Sequence, residues 1–298
     1  MSDFPLVGVQ SCGNDFALHN DVVIRRAPVP AGRDSAATAC CDGQHIGEHK
    51  EKKEVFLDFP RVGRFLVRAG KEILIDPAPT SDAGEVRAYL LGTAFGMLCH
   101  QRGITPLHAS AINLDDGCVA FVGASGAGKS TLVAALARRG HEIISDDVCF
   151  LQLDGKGSVQ LGPGIERIRL WADAMYALGY DGPEVEQEMH GYNKYFVPVR
   201  SPRSQLDRRR LCRVYELQPS PDGAIEVSSL QGGTAVEVLM QNVYRLSLAE
   251  RLGYKPHAFV ACAAAARNVP VFRLTRPKHF HVLEETIEVL EDHLRQMA

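Results

Sequence analysis

None of the eight cysteines in this 298-residue chain forms a Cys-x-x-Cys pair. Paired-thiolate zinc frameworks are therefore excluded. The adjacent Cys40 and Cys41 stand near His45 and His49, but the spacing C-C-x3-H-x3-H matches no common zinc site. Reduced thiols are expected instead, in a reducing cytoplasm. No apolar run approaches the ~20 residues that a membrane-spanning helix needs. The longest, Ala88 to Cys99, predicts a buried core helix over 82–101. Met1-Ser2-Asp3-Phe4-Pro5 lacks the basic and apolar regions of a signal peptide. There is no excess of positive charge: 33 Lys and Arg stand against 36 Asp and Glu, a formal net charge of −3. That removes any global electrostatic case for nucleic acid. Neither nucleic acid nor membrane is an expected partner, and the chain shows no internal repeat. With 45% hydrophobic and 23% charged residues it has an ordinary globular composition, enough for one large or two modest domains.

What the chain has is a complete phosphate-binding loop. Gly123-Ala124-Ser125-Gly126-Ala127-Gly128-Lys129-Ser130-Thr131 satisfies G-x-x-x-x-G-K-[ST]. The apolar run Cys118 to Val122 before it reads as a buried strand. Leu132 to Arg139 after it is rich in helix formers, with Gly140 as a stop. In such a loop the glycines let several N–H groups turn towards phosphate oxygens, and the helix N-terminus adds partial positive charge. Lys129 is placed to reach the β- and γ-phosphates, and the Ser130 hydroxyl to ligate Mg²⁺.

Past that helix, His141 to Leu151 reads as a strand interrupted by Asp146-Asp147. An acid at the end of a strand in this setting can hold Mg²⁺ or take a proton from an attacking hydroxyl. Neighbouring side chains on a strand face opposite ways, so both acids reach one site only if the backbone turns there. Upstream, Gly103 to Ile112 leads into a strand. The turn Asn113-Leu114-Asp115-Asp116-Gly117 brings the chain back as the loop's own strand, which places His108 beside the phosphate loop.

Leu107-His108-Ala109-Ser110, the loop 123–130, Arg139-Gly140-His141 and Asp146-Asp147-Val148 together resemble the catalytic domain of HPr serine kinase/phosphorylase, in that order and near that spacing. That family phosphorylates a serine on a small carrier protein. The resemblance is sharp over about residues 104–151 and fades beyond. It implies an α/β fold, with a P-loop nucleotide-binding core of the HPr kinase/PEP carboxykinase-like type. It implies ATP and Mg²⁺ as cofactors. Lys129 and the loop amides would hold phosphates, Ser130 and Asp146 would hold the metal, one or both of Asp146 and Asp147 would act as base, and His108 would sit near the reacting phosphate. The family's Glu-Ile-Arg-Gly signature has only a loose counterpart, Glu166 within Gly164 to Trp171. Neither reverse phosphorylase activity nor a second metal site therefore follows. Gly63 to Ile73 resembles a segment of shorter HPr-kinase-like proteins, some of them associated with lasso-peptide biosynthesis as tailoring kinases.

The expected layout is a small β-rich α+β region over 1–103 and the catalytic domain over 104–298. Short strands are expected within 5–27 and 55–76, with a loop or insertion between them over 28–54. The polar segment 179–213 carries an acidic patch (Asp181, Glu184, Glu186, Glu188). Its basic cluster includes Arg200, Arg203, Arg208, Arg209, Arg210 and Arg213, which either grips phosphates or an acidic acceptor or is a solvated surface. Further expectations are strands at 211–217, 225–230 and 271–274, and a helix over 234–251. Phe280, Leu283, Ile287, Leu290 and Leu294 form a core-facing stripe on the last helix. The expected function is ATP-dependent transfer to a serine hydroxyl of a peptide or small protein, a lasso-peptide precursor being the sharpest candidate. The alternatives are a small-metabolite kinase and a nucleotide-dependent regulatory switch. A homo-oligomer is compatible with the sequence.

Overall fold

Val55, Leu57 and Phe59 alternate with Glu54, Phe56 and Asp58, and that period of two buries one face of a strand. In a computed structural model, which describes residues 22–30, 38–39, 45–49, 53–155, 157–162, 167–187, 193–198 and 208–297, this strand lies in the first of two compact units. The first unit comprises residues 1–104 and 247–255, the second 105–246 and 256–298. Residues 247–255, placed with 104–298 on sequence grounds, thus group with the first unit.

The first unit is a six-stranded sheet of β1 (Val23–Arg26), β2 (Thr38–Ala39), β3 (His45–His49), β4 (Glu54–Phe59), β5 (Gly63–Arg68) and β6 (Glu72–Pro77). The order is β1-β6-β5-β4-β3-β2, with β1 parallel to β6 and the other pairs antiparallel. β2 and β3 fall inside the stretch 28–54 that was expected to be a loop. β3 pairs with β4 and β2 with β3, and backbone pairing needs no amphipathic period. The expected helix over 82–101 is three segments: α1 (Ala83–Tyr89), a π turn (Leu90–Ala94) and α2 (Phe95–Gln101). Asp82 caps α1 by accepting from the Gly84 and Glu85 amides. Leu90, Ala94, Met97 and Leu98 pack with Phe65, Val67, Ile73 and Ile75. Residues 1–21, and with them the strands expected before Val22, lie outside the described residues, as do Cys40 and Cys41.

The second unit is a mixed α/β layered structure. Its nine-stranded sheet contains β7 (Thr105–Leu107), β8 (Ser110–Leu114), β9 (Gly117–Val122), β10 (Ile143–Ser145), β11 (Cys149–Leu153) and β12 (Val159–Gly162). A small sheet of β13 (Arg167–Trp171), β14 (Glu186–Gln187) and β15 (Lys194–Pro198) follows, so part of the polar segment 179–213 is strand. β16 (Arg209–Pro219), β17 (Glu226–Leu230) and β18 (Val271–Arg276) complete the large sheet. β16 organises it, running parallel to β9 and β18 and antiparallel to β12.

β9 carries the logic of the core. Cys118, Ala120 and Val122 face one side, where α5 (Gly232–Gln241) and α7 (Lys255–Asn268) pack. Val119 and Phe121 face the other, against α3 (Lys129–Arg138) and α8 (Leu283–Gln296). Leu283, Ile287, Leu290 and Leu294 are the buried stripe of α8, but Phe280 is not part of it. It sits in the preceding 3₁₀ turn and is 44% exposed. Two short elements remain, α4 (Ala172–Ala177) and α6 (Leu246–Arg251). The single helix expected over 234–251 is α5 and α6, interrupted at 242–245 because those residues bond β7 instead: Leu107 bridges Val243, and the Tyr244 amide donates to the Pro106 carbonyl at 2.8 Å. Among the described residues no helix is long and apolar enough to cross a membrane.

Candidate active site

β9 ends at Val122 and α3 begins at Lys129, so residues 123–128 form a loop at the carboxyl end of a sheet strand. Gly128 has φ +91°, a left-handed value that favours glycine. A Cβ there would stand 2.2 Å from Arg276 Nη2. The loop is held from below: the Gly123 amide donates to Asn242 Oδ1 at 2.8 Å. Asn242 is buried, donates through Nδ2 to the Val238 carbonyl at 2.8 Å, and its own carbonyl accepts from the His108 amide at 2.7 Å. One asparagine thus fixes both the root of the loop and the backbone of His108, which explains why the helix breaks there.

Lys129 turns back on the loop. Its Nζ donates to the Gly123 and Ala124 carbonyls at 2.8 and 3.2 Å. Burial lowers its pKa to about 8, against the opposing pull of Asp146 and Asp147. Ser125 to Thr131 line a cleft, whereas Gly123 and Ala124 do not.

The two acids separate at a backbone turn. Asp147 has φ +73°, and β10 stops just before the pair. Asp146 is buried: Oδ1 accepts from Ser110 Oγ at 2.5 Å and Oδ2 from the Arg169 amide at 2.9 Å, and the Ser130 hydroxyl also bonds this carboxylate. Burial raises its pKa, although these donors oppose the rise. Asp147 lines the cleft. Its Oδ2 accepts from Arg169 Nη1 at 2.5 Å, and its Oδ1 lies 3.5 Å from His108 Nε2. Burial alone would raise the Asp147 carboxyl, but the Arg169 guanidinium and His108 outweigh it and hold the pKa low. His108 is lowered to about 4, first by burial and then by Lys129. The imidazole is therefore neutral near pH 7, where Arg169 is the charge that keeps Asp147 ionised. Tyr244 stands edge-on to the His108 ring, centroids 6.2 Å apart.

The remaining cations of the cleft come from residues that no local motif marks: Arg169 and Lys194 from the small sheet, Arg276 at the end of β18 and Lys278 just beyond it. With Lys129 they make five cationic side chains, against the carboxylates of Asp147 and Asp173. Lys194 lies over the Trp171 ring, 4.9 Å from its centroid. The basic cluster singled out in the sequence is not this set. Arg208, Arg209 and Arg210 do not line the cleft, and Arg213 is buried against Asp116 and the Met297 carbonyl. Arg200, Arg203, Glu166 and Glu188 lie outside the described residues. The Arg139-Gly140-His141 turn is also absent from the cleft: Arg139 pairs with Glu284 and Glu291, and His141 with Glu291, all tying α3 to α8.

The donor set fits the groups that the resemblance implies. Five cations converging on a loop at a helix N-terminus suit a polyphosphate. Ser130 and Asp146, already in contact, can offer two oxygens to Mg²⁺. No cluster of three or more His, Cys, Asp or Glu suited to a metal exists among the described residues. Two protein oxygens, with phosphate and water completing the shell, is how Mg²⁺ is held beside nucleotides.

No family model matches the chain, and no curated protein does. Among solved structures it is similar to the Hpr(Ser) kinase/phosphatase from Coxiella burnetii, at 14% identity over 65% of this chain and 99% of that one, with a TM-score of 0.32.

Proposed function

We propose that the second unit is an ATP-dependent kinase that transfers the γ-phosphate to a serine hydroxyl of a peptide or small protein, in the cytoplasm. The observation that carries this reading is the division of labour at Asp146-Asp147. The left-handed turn at Asp147 leaves one carboxylate bonded to Ser130 and the other in the cleft, facing the loop. An ionised carboxylate in the cleft can accept a proton from an attacking hydroxyl, which favours transfer over a switch that only binds nucleotide.

In this reading Ser130 and Asp146 would hold Mg²⁺, which would neutralise charge on the phosphates. Lys129 leaves its loop carbonyls for the β- and γ-phosphates. Asp147 accepts the proton of the serine hydroxyl as its oxygen attacks, with Arg169 keeping the carboxylate aimed and ionised. Neutral His108 holds the other side of Asp147 and offers an imidazole rather than a charge. Positioning and electrostatics supply most of the barrier lowering.

The acceptor reading rests on the rim. Trp171 is 48% exposed and Phe280 is 44% exposed, and both line the cleft beside Lys194 and Lys278. Exposed aromatics next to cations suit an extended chain better than an enclosed metabolite. A lasso-peptide precursor is the sharpest candidate and a carrier protein the next. The test is transfer from γ-labelled ATP to peptides and small proteins encoded beside this chain, with mass spectrometry to locate phosphate on serine. Labelling of a small molecule alone would establish the metabolite kinase instead, and nucleotide binding with no transfer would establish the switch.

A further inference from the structure

Arg276 ends β18 and is 6% exposed. Its Nη2 donates to the Ala127 carbonyl of the phosphate loop at 3.1 Å, and its Nη1 to the Pro277 carbonyl at 3.1 Å. Nε is buried without a hydrogen-bond partner. No carboxylate pairs with this guanidinium among the described residues, although Arg213, also buried, has Asp116. A buried cation without a counter-anion is costly, and proteins pair such groups or neutralise them. An arginine does not escape by losing its proton. The charge therefore calls for an anion from outside the chain.

The surroundings say which anion. The guanidinium lines the same cleft as the loop and lies directly against Gly128, whose left-handed backbone favours glycine. It approaches the loop from β18, whereas Lys129 approaches from α3. A planar guanidinium beside inward-turned amides matches phosphate oxygens in a way that an ammonium does not. Resting on the nucleotide reading above, we propose that Arg276 is a second phosphate-binding residue of the loop, a permanent cation whose counter-anion is the polyphosphate of the bound nucleotide.

The proposal predicts opposite effects on the empty and loaded protein. In Arg276→Met the uncompensated charge is gone, so the empty protein melts no lower than wild type. Its affinity for Mg·ATP, measured by calorimetry, falls by about 10- to 100-fold, the worth of one charge-assisted hydrogen bond. The thermal shift on adding Mg·ATP shrinks with it. A merely structural arginine would give the reverse: a lower melting temperature and unchanged affinity. That result overturns the proposal. If the Met variant does not fold, Arg276→Lys decides, since it keeps the charge but loses the planar fork. A several-fold loss of affinity is expected, and unchanged affinity overturns the proposal. Lys129→Ala separates the two levels of inference. If wild type binds Mg·ATP and Lys129→Ala does not, while the Arg276 variants bind normally, only the role of Arg276 fails. If wild type binds no nucleoside triphosphate, the kinase reading itself fails.

Discussion

Binding of Mg·ATP should draw protons into the protein, and the pH at which it does so follows from Lys129. This ammonium is buried against two loop carbonyls, with its pKa lowered to about 8 from 10.5. Phosphate oxygens favour the charged form, so binding returns the pKa towards or above its ordinary value. The sign is then fixed: the bound state holds more protons, and binding takes them up. Before nucleotide binds, the lysine is about 90% charged at pH 7, about half charged at pH 8 and about 10% charged at pH 9. Uptake per nucleotide is then roughly 0.1, 0.5 and 0.9 protons at those three pH values. The nucleotide's own phosphate ionises near pH 6 and contributes less as pH rises, so its trend runs the other way. His108, at about 4, is neutral throughout this range. Calorimetry in buffers of different ionisation heat reads the uptake directly. Uptake that stays flat or declines from pH 7 to pH 9 would refute the assignment of Lys129 as the desolvated phosphate cation.

Three substitutions extend the test. Asp147→Asn should slow transfer from Mg·ATP to an accepted serine peptide by about 10²- to 10⁴-fold, the usual worth of a positioned base. Asparagine tolerates the left-handed turn, so circular dichroism should be unchanged, and a wild-type rate at saturating Mg·ATP removes Asp147 as the base. Ser130→Ala should raise the Mg²⁺ concentration needed for half-maximal ADP release, and an unchanged Mg²⁺ titration would take Ser130 out of the metal shell. Asn242→Leu should destabilise the protein by about 1–3 kcal/mol, since the Gly123 amide loses its buried acceptor, and should weaken Mg·ATP binding with the displaced loop. Melting and calorimetry together check it, and an effect on neither would show that the loop needs no such support.

The parts of the site that could be read in the sequence are those built by adjacent residues. A glycine-rich turn between a strand and a helix is a local object, and so is a pair of acids at a strand end; chain geometry alone places their backbones. The side chains that complete the cleft obey no such rule. Arg169, Lys194 and Arg276 come from three strands spread over more than a hundred residues, and each is an ordinary strand residue until the sheets assemble. Asn242 looks like a flaw in a helix, and its partners Gly123 and His108 lie far back in the chain. The basic cluster near residue 210 stood out because its arginines are contiguous, yet contiguity on a strand sends successive side chains to opposite faces. Arg213 also pairs with Val119 near the start of β9, away from the loop that follows Val122, and its charge is spent on Asp116. Arg139-Gly140-His141 misleads in another way: its residues follow the nucleotide helix, but they reach across to Glu291 and bind helix to helix. Net charge averages away the feature that matters most. A chain with formal charge −3 gathers five cations around one loop. Only Asp147 and Asp173 stand against them in the cleft, so composition can argue against a broad nucleic-acid surface while saying nothing against a concentrated phosphate site.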